Sequence, residues 1–137
     1  GHAKDYVEAM YAIMQHHKPD DFVIATGEQY SVREFCEEAF RHIGMDVEWR
    51  GSGLEEKGVD KKTGRVLIEV DPRYFRPTEV GSLQGDYTKA KNELGWTPKI
   101  GFKELVKEMV DHDLEEAERE QYIKQGGFRT RRNKDGE

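Results

Sequence analysis

The 137-residue chain has one cysteine, Cys36, so no internal disulfide can brace its fold. Apolar residues are scarce at 35%, and charged residues reach 36%. Typical globular domains hold roughly 45–50% apolar and about 25% charged residues, so only a small core is available. No apolar run approaches the roughly 20 residues of a membrane-spanning helix, and no signal-peptide pattern opens the chain. A basic excess is also missing: 22 Lys and Arg stand against 28 Asp and Glu, a net charge of −6. That sign argues against a whole-surface nucleic-acid footprint. What remains is a single α/β domain, expected to be soluble and cytoplasmic, without nucleic-acid or membrane partners.

Hydrophobic spacing predicts the elements. Asp5 to His17 reads as an amphipathic helix with Tyr6, Met10, Ile13 and His17 on one stripe and Asp5 as a first-turn or N-cap acid. Pro19 ends it. Phe22–Ala25 is continuously apolar, the mark of a strand buried on both faces. Ser31 and Glu34 form a capping box ahead of Val32, Phe35, Cys36, Ala39, Phe40 and Ile43, and Gly44 is placed to stop that helix. Val47–Trp49 alternates as a brief strand, and Val66–Val70 gives another. Residues 51–64, with four glycines among charges, read as an exposed loop. Asp86 is expected to cap a helix over Tyr87–Leu94 that Gly95 closes, and a last helix is expected from about Phe102 to Glu120, with Val106, Met109, Val110 and Leu114 facing the core. Residues 1–121 then form one lobe, and residues 122–137 a disordered basic tail.

Few residues carry chemistry. His2, His16, His17, His42 and His112 lack the spacing of a metal-binding helix face, so no metal site is expected. Tyr87 and Lys91 repeat a Tyr-x-x-x-Lys spacing, but no phosphate-binding glycine turn precedes them, and a packed tyrosine beside a solvated lysine is the better account. Gly51-Ser52-Gly53 opens no helix and therefore no phosphate cradle. Arg129, Arg131, Arg132 and Lys134 lack interleaved aromatics and fit a solvated tail. Arg73, Arg76 and Glu79 stand apart. Two guanidinium groups on an irregular segment after a strand suit phosphate capture, and a nearby carboxylate suits a ribose diol. A structural ion pair tying a loop to the body explains the same residues equally well.

Longer stretches add a resemblance. Gly1-His-Ala-Lys-Asp-Tyr-Val7, Asp21-Phe-Val-Ile-Ala-Thr-Gly27, Tyr30-Ser-Val-Arg33, Arg73-Tyr-Phe-Arg-Pro-Thr-Glu-Val80, Leu83-Gln-Gly-Asp86 and Leu94-Gly-Trp-Thr-Pro98 occur in that order. Together they resemble the C-terminal region of extended short-chain dehydrogenases that act on nucleotide sugars, and among these the GDP-mannose 4,6-dehydratase family. The resemblance implies a small α/β substrate-binding lobe, normally packed on an NADP-binding Rossmann domain that is expected to be absent here. It also implies a homo-oligomeric whole enzyme that oxidises the sugar at C4 with NADP, eliminates water across C5–C6 and returns hydride to C6. The family's acid–base residues belong to the Rossmann part, so catalytic and cofactor-binding residues are expected to be none, and the chain alone inactive. By position, Arg76 would meet the diphosphate of GDP or GDP-mannose, Glu79 the ribose, and Tyr30 the nucleotide pocket. A stand-alone nucleotide-binding or interaction module is the alternative.

Overall fold

The computed structural model describes residues 1–76, 81 and 83–126. It is an α/β arrangement of four helices and one small antiparallel sheet among those residues.

Helix α1 spans Ala3–Gln15 and is capped by His2, whose Nδ1 accepts from the Lys4 N–H at 3.0 Å. Asp5 therefore sits inside the first turn. It is buried, as is Ala9, while Val7, Met10, Tyr11 and Met14 are 61–72% exposed. Of the expected stripe, Tyr6 and Ile13 are half-buried, while Met10 and His17 are exposed. The deepest point of the inward face is small, because Ala9 must approach Ala90 and the Trp96 indole closely, and these three form the central cluster. Long side chains would hold the elements apart.

Phe22–Ala25 is extended but joins no sheet among the described residues. Phe22 and Ile24 pack on the Ala9–Ala90–Trp96 cluster, whereas Val23 is 55% exposed. The expected strand buried on both faces is thus a ribbon covered on one.

Helix α2, Val32–His42, carries the whole capping box: Ser31 Oγ accepts from the Glu34 N–H, and Glu34 Oε2 accepts from the Ser31 N–H at 2.7 Å. Gly44, at φ +80°, takes the left-handed position that ends it.

The sheet runs β1 (Val47–Arg50), β2 (Lys57–Asp60), β3 (Val66–Glu69) in that spatial order, all antiparallel. The central strand, β2, lies inside the segment expected to be loop. Gly58 weighs toward loop by composition, yet here it is a strand residue set between Trp49 and Ile68. A Cβ on it would meet Ile68 Cδ1 at 2.9 Å and Val47 Cγ1 at 3.1 Å. A glycine inside a strand at such an approach is a packing device. Asp60 closes the β2–β3 turn by accepting from the Lys62 N–H at 3.1 Å and the Thr63 hydroxyl at 2.6 Å. The Trp49 indole N–H donates to Glu37 Oε1 at 2.8 Å, tying the sheet to α2.

Helix α3, Thr88–Leu94, ends at Gly95 with φ +68°. Asp86 supports its start, accepting from the Thr88 N–H at 2.8 Å and the Thr88 hydroxyl at 2.6 Å. Helix α4, Phe102–Gln125, passes the expected end at Glu120, so residues 122–125, assigned to the tail, are helical. Its second half is solvated, and Met109 and Leu114 are exposed rather than core. A run of strong helix formers sustains it, with Glu116–Arg119 and Glu120–Lys124 pairs along the surface. Residues 127–137, including the basic cluster, lie outside the described residues.

One node joins the two ends of the domain. Asp5 Oδ2 accepts from the Lys99 N–H at 3.1 Å and the Ile100 N–H at 3.0 Å, and the Asp5 carbonyl accepts from the Trp96 indole N–H at 2.9 Å. Asp5→Ala leaves two backbone donors without an acceptor and is expected to cost about 2–4 kcal/mol in urea unfolding; a loss under about 0.5 kcal/mol would contradict this assignment. Gly58→Val should destabilise by about 1–3 kcal/mol through overpacking against Ile68 and Val47, read as a lower urea midpoint. An unchanged midpoint would mean that β2 does not sit at this distance from its neighbours.

Candidate functional site

The turn after Ile24 leads into the capped end of α2, and that path positions Tyr30. Thr26 Oγ1 accepts from the Glu28 N–H at 3.4 Å and donates to the Glu28 carbonyl at 3.3 Å. Gly27, at φ +73°, makes the bend, with the Tyr87 ring lying against its α-carbon. Tyr30 stacks on Phe102 with ring centroids 3.9 Å apart and planes 8° from parallel, and its hydroxyl donates to Glu28 Oε2 at 2.9 Å. Donation to that carboxylate holds the phenol above its ordinary pKa, so Tyr30 stays a neutral hydrogen-bonding group. The ring is 44% exposed. It borders a cavity of about 470 Å³ that Thr26, Glu28, Tyr87, Lys99 and Phe102 also line. One aromatic wall, one carboxylate and several hydroxyls suit a small polar ring system.

The two arginines of the other candidate segment part ways. Arg73 lies in a single 3-10 turn, Pro72–Tyr74, and grips Asp71: Nη2 reaches Oδ2 at 2.7 Å, and Nε reaches both carboxylate oxygens at 3.2 Å. Asp71 also accepts the Arg73 N–H at 2.9 Å, and these bonds hold its carboxyl below the ordinary range. Arg73 is therefore committed within its own turn. Arg76 is exposed, as Arg73 is, and is not among the residues bordering the Tyr30 cavity. Glu79 lies outside the described residues. The structure thus brings Tyr30 together with Glu28, Tyr87 and Phe102, while Arg76 does not line that cavity.

Histidines act in pairs with carboxylates: His2 with Glu108 at 3.1 Å, His16 with Glu93 at 3.8 Å and His42 with Asp111 at 2.6 Å. Among the described residues no three His, Cys, Asp or Glu side chains gather as a metal-ligand set. Burial pushes the Cys36 thiol up, away from a reactive thiolate. Tyr87 meets Trp96 edge-on with centroids 6.0 Å apart, the packed role expected for it. No helix among the described residues is long and apolar enough to cross a membrane.

Residues 1–109 match the family profile described as GDP-mannose 4,6 dehydratase. The chain belongs to the GDP-mannose 4,6-dehydratase family. Its similarity to named members is high: 57% identity over 84% of the chain to the human GDP-mannose 4,6 dehydratase, and 56% over 84% to the Drosophila melanogaster protein of that name. The GDP-mannose 4,6-dehydratase of Vibrio cholerae serotype O1 is 46% identical over 93% of the chain. These alignments cover 31%, 29% and 37% of the respective relatives, so the chain spans about a third of the length of the curated relatives it matches.

Sequence reasoning named Tyr30 but not its supports. Glu28 and Phe102 carried no spacing signal, because one is a loop acid and the other stands 72 residues away on α4. The capping box, in contrast, is local, and it gives a clean titration. Glu34 lies below its ordinary value of 4.5 because the Ser31 N–H and hydroxyl both donate to its carboxylate. A depressed carboxylate stabilises above its unfolded pKa and loses that contribution as pH falls through the folded one. The Tm difference between the natural chain and Glu34→Gln should therefore be constant above about pH 5 and shrink toward zero below 4.5. A difference that persists unchanged to pH 2.5 would contradict this (measured as ~0.5-unit steps in acidic buffers).

Proposed function

We propose that this chain supplies the nucleotide-sugar-binding part of a cytoplasmic, NADP-dependent GDP-mannose 4,6-dehydratase, a lyase that converts GDP-mannose to GDP-4-keto-6-deoxymannose on the way to GDP-fucose. The observation that carries this reading is identity of 46–57% to dehydratases of that name across 84–93% of the chain. Arg76 is assigned to the diphosphate, where a planar guanidinium can engage two oxygens at once. Glu79 is assigned to the ribose hydroxyls, and Tyr30 to the edge of the nucleotide pocket, where its open ring face and neutral hydroxyl suit a nucleoside.

NADP does not fit the described residues. A dinucleotide pyrophosphate needs backbone N–H groups presented by a glycine-rich turn at a helix start. Here α2 opens on the Glu34 carboxylate and α3 on the Asp86 carboxylate, α1 is closed by the His2 ring, and no glycine-rich turn of that type opens α4. The cofactor and the acid–base groups are assigned to the remaining two-thirds of the enzyme. The exposed outer face of α1 (Val7, Met10, Tyr11, Met14) suits packing against that remainder. The whole enzyme is assigned as a homo-oligomer.

Two-dimensional amide spectra with and without millimolar GDP test the binding assignment. GDP is expected to shift resonances around Arg76, Glu79 and Tyr30, and Arg76→Ala to weaken the response by about 10-fold or more, the scale of a lost charge-assisted pair. A dispersed spectrum indifferent to GDP would overturn nucleotide binding by this chain.

A further inference from the structure

Resting on the nucleotide-binding reading, we propose that Glu28 selects the base, its carboxylate taking the N1–H and N2 amino edge of guanine beside the Tyr30 ring. The cavity at Tyr30 suits a flat ring. Phe102 lies parallel to Tyr30 with centroids 3.9 Å apart and braces one face of it, while the tyrosine stays 44% exposed and lines the cavity. Aromatic platforms hold bases by stacking, whichever base it is, so the ring alone does not discriminate. At about 470 Å³ the space lies within the range of roughly 300–1,000 Å³ that small-molecule ligands occupy.

Charge decides which end of a nucleoside diphosphate enters. Glu28 is the one carboxylate among the described residues that line the cavity. Lys99 lines it too, but its ammonium stands 2.5 Å from Oε2 of Glu8, a residue outside the lining set. A diphosphate is therefore repelled from this cavity, and the base is the part of the ligand that fits. Glu28 is aligned with the platform because its Oε2 accepts from the Tyr30 hydroxyl at 2.9 Å. Oε1 accepts no hydrogen bond among the described residues, and each carboxylate oxygen has a second lone pair. Such an acceptor pair matches two adjacent N–H donors, which guanine presents at N1 and N2. Hypoxanthine lacks the amino group and offers one donor. Adenine turns an unprotonated N1 to the same place and sets a lone pair against the carboxylate.

The test titrates the whole 137-residue chain with GDP, inosine diphosphate and ADP, read by two-dimensional amide spectra. Two variants run beside it, Glu28→Gln and Glu28→Asp, with Tm as the control of folding. The natural chain is expected to bind inosine diphosphate about 10-fold and ADP about 100-fold more weakly than GDP, the scale of one and two charge-assisted bonds. Glu28→Gln, which brings a donor of its own, should cut the preference for GDP over ADP to below about 10-fold. Glu28→Asp keeps the carboxylate and should keep the order of the three ligands at lower affinity. If Glu28→Gln lowers the Tm, the order in the natural chain and in Glu28→Asp still decides. Equal binding of the three nucleotides by the natural chain would overturn the assignment to Glu28 and leave nucleotide binding standing. So would a loss in Glu28→Gln that is the same for all three, which places the carboxylate on the sugar or on Tyr30 alone. If the natural chain binds none of them, the nucleotide-binding reading itself fails, and base selection falls with it.

Discussion

Asp5 lies in the first turn of α1, where an acidic residue ordinarily faces water and favours the helix dipole. Here it is buried and used as an acceptor, its carboxylate taking the N–H groups of Lys99 and Ile100 while its carbonyl takes the Trp96 indole N–H. That single residue docks the turn between α3 and α4 onto the start of the chain. Through Trp96 it also sets the central cluster, since Ala9, Ala90 and the indole can meet only if the turn is held at this depth. Phe22, Ile24, Tyr87 and Leu94 pack around that cluster, and the ribbon and turn that carry the candidate site follow from it.

The second constraint is steric. Removing the side chain at Gly58 lets Val47 on β1 and Ile68 on β3 close over the middle strand. The sheet then binds to α2 through the Trp49–Glu37 hydrogen bond, with the Arg33 guanidinium 5.8 Å from the Trp49 ring centroid. Helix α2 packs on α4, and Phe102 at the start of α4 is the floor beneath Tyr30. The site therefore sits at the junction of two sub-assemblies, one ordered by a buried carboxylate and one by an absent Cβ.

Membership of the GDP-mannose 4,6-dehydratase family follows from similarity in sequence, while the geometry shows which candidate residues lie near one another. Arg73 is tied to Asp71 through both its backbone N–H and its guanidinium. The Tyr30 turn has neighbours from two other stretches of chain: Gln84 and Tyr87 in the segment before α3, and Phe102 at the start of α4. Each of these reads as an ordinary residue in its own local context.

Features set by residues within a few positions of one another were legible in the sequence. The Ser31–Glu34 box, the glycine stops at Gly44 and Gly95, the Asp86 support of α3, the alternation of β1 and the existence of β3 all hold in the structure, although Val66 on β3 is exposed and Leu67 half-buried. Their energies are local, so the order of residues contains them. Whether Phe22–Ala25 would be a paired strand, which face of α1 would turn inward, and whether Gly58 marked a loop or a strand were decided elsewhere. Those outcomes depend on groups that meet across long separations, as Asp5 meets Ile100 over 95 positions. A hydrophobic pattern states that a residue can be buried; only the completed packing determines against what, and at what distance.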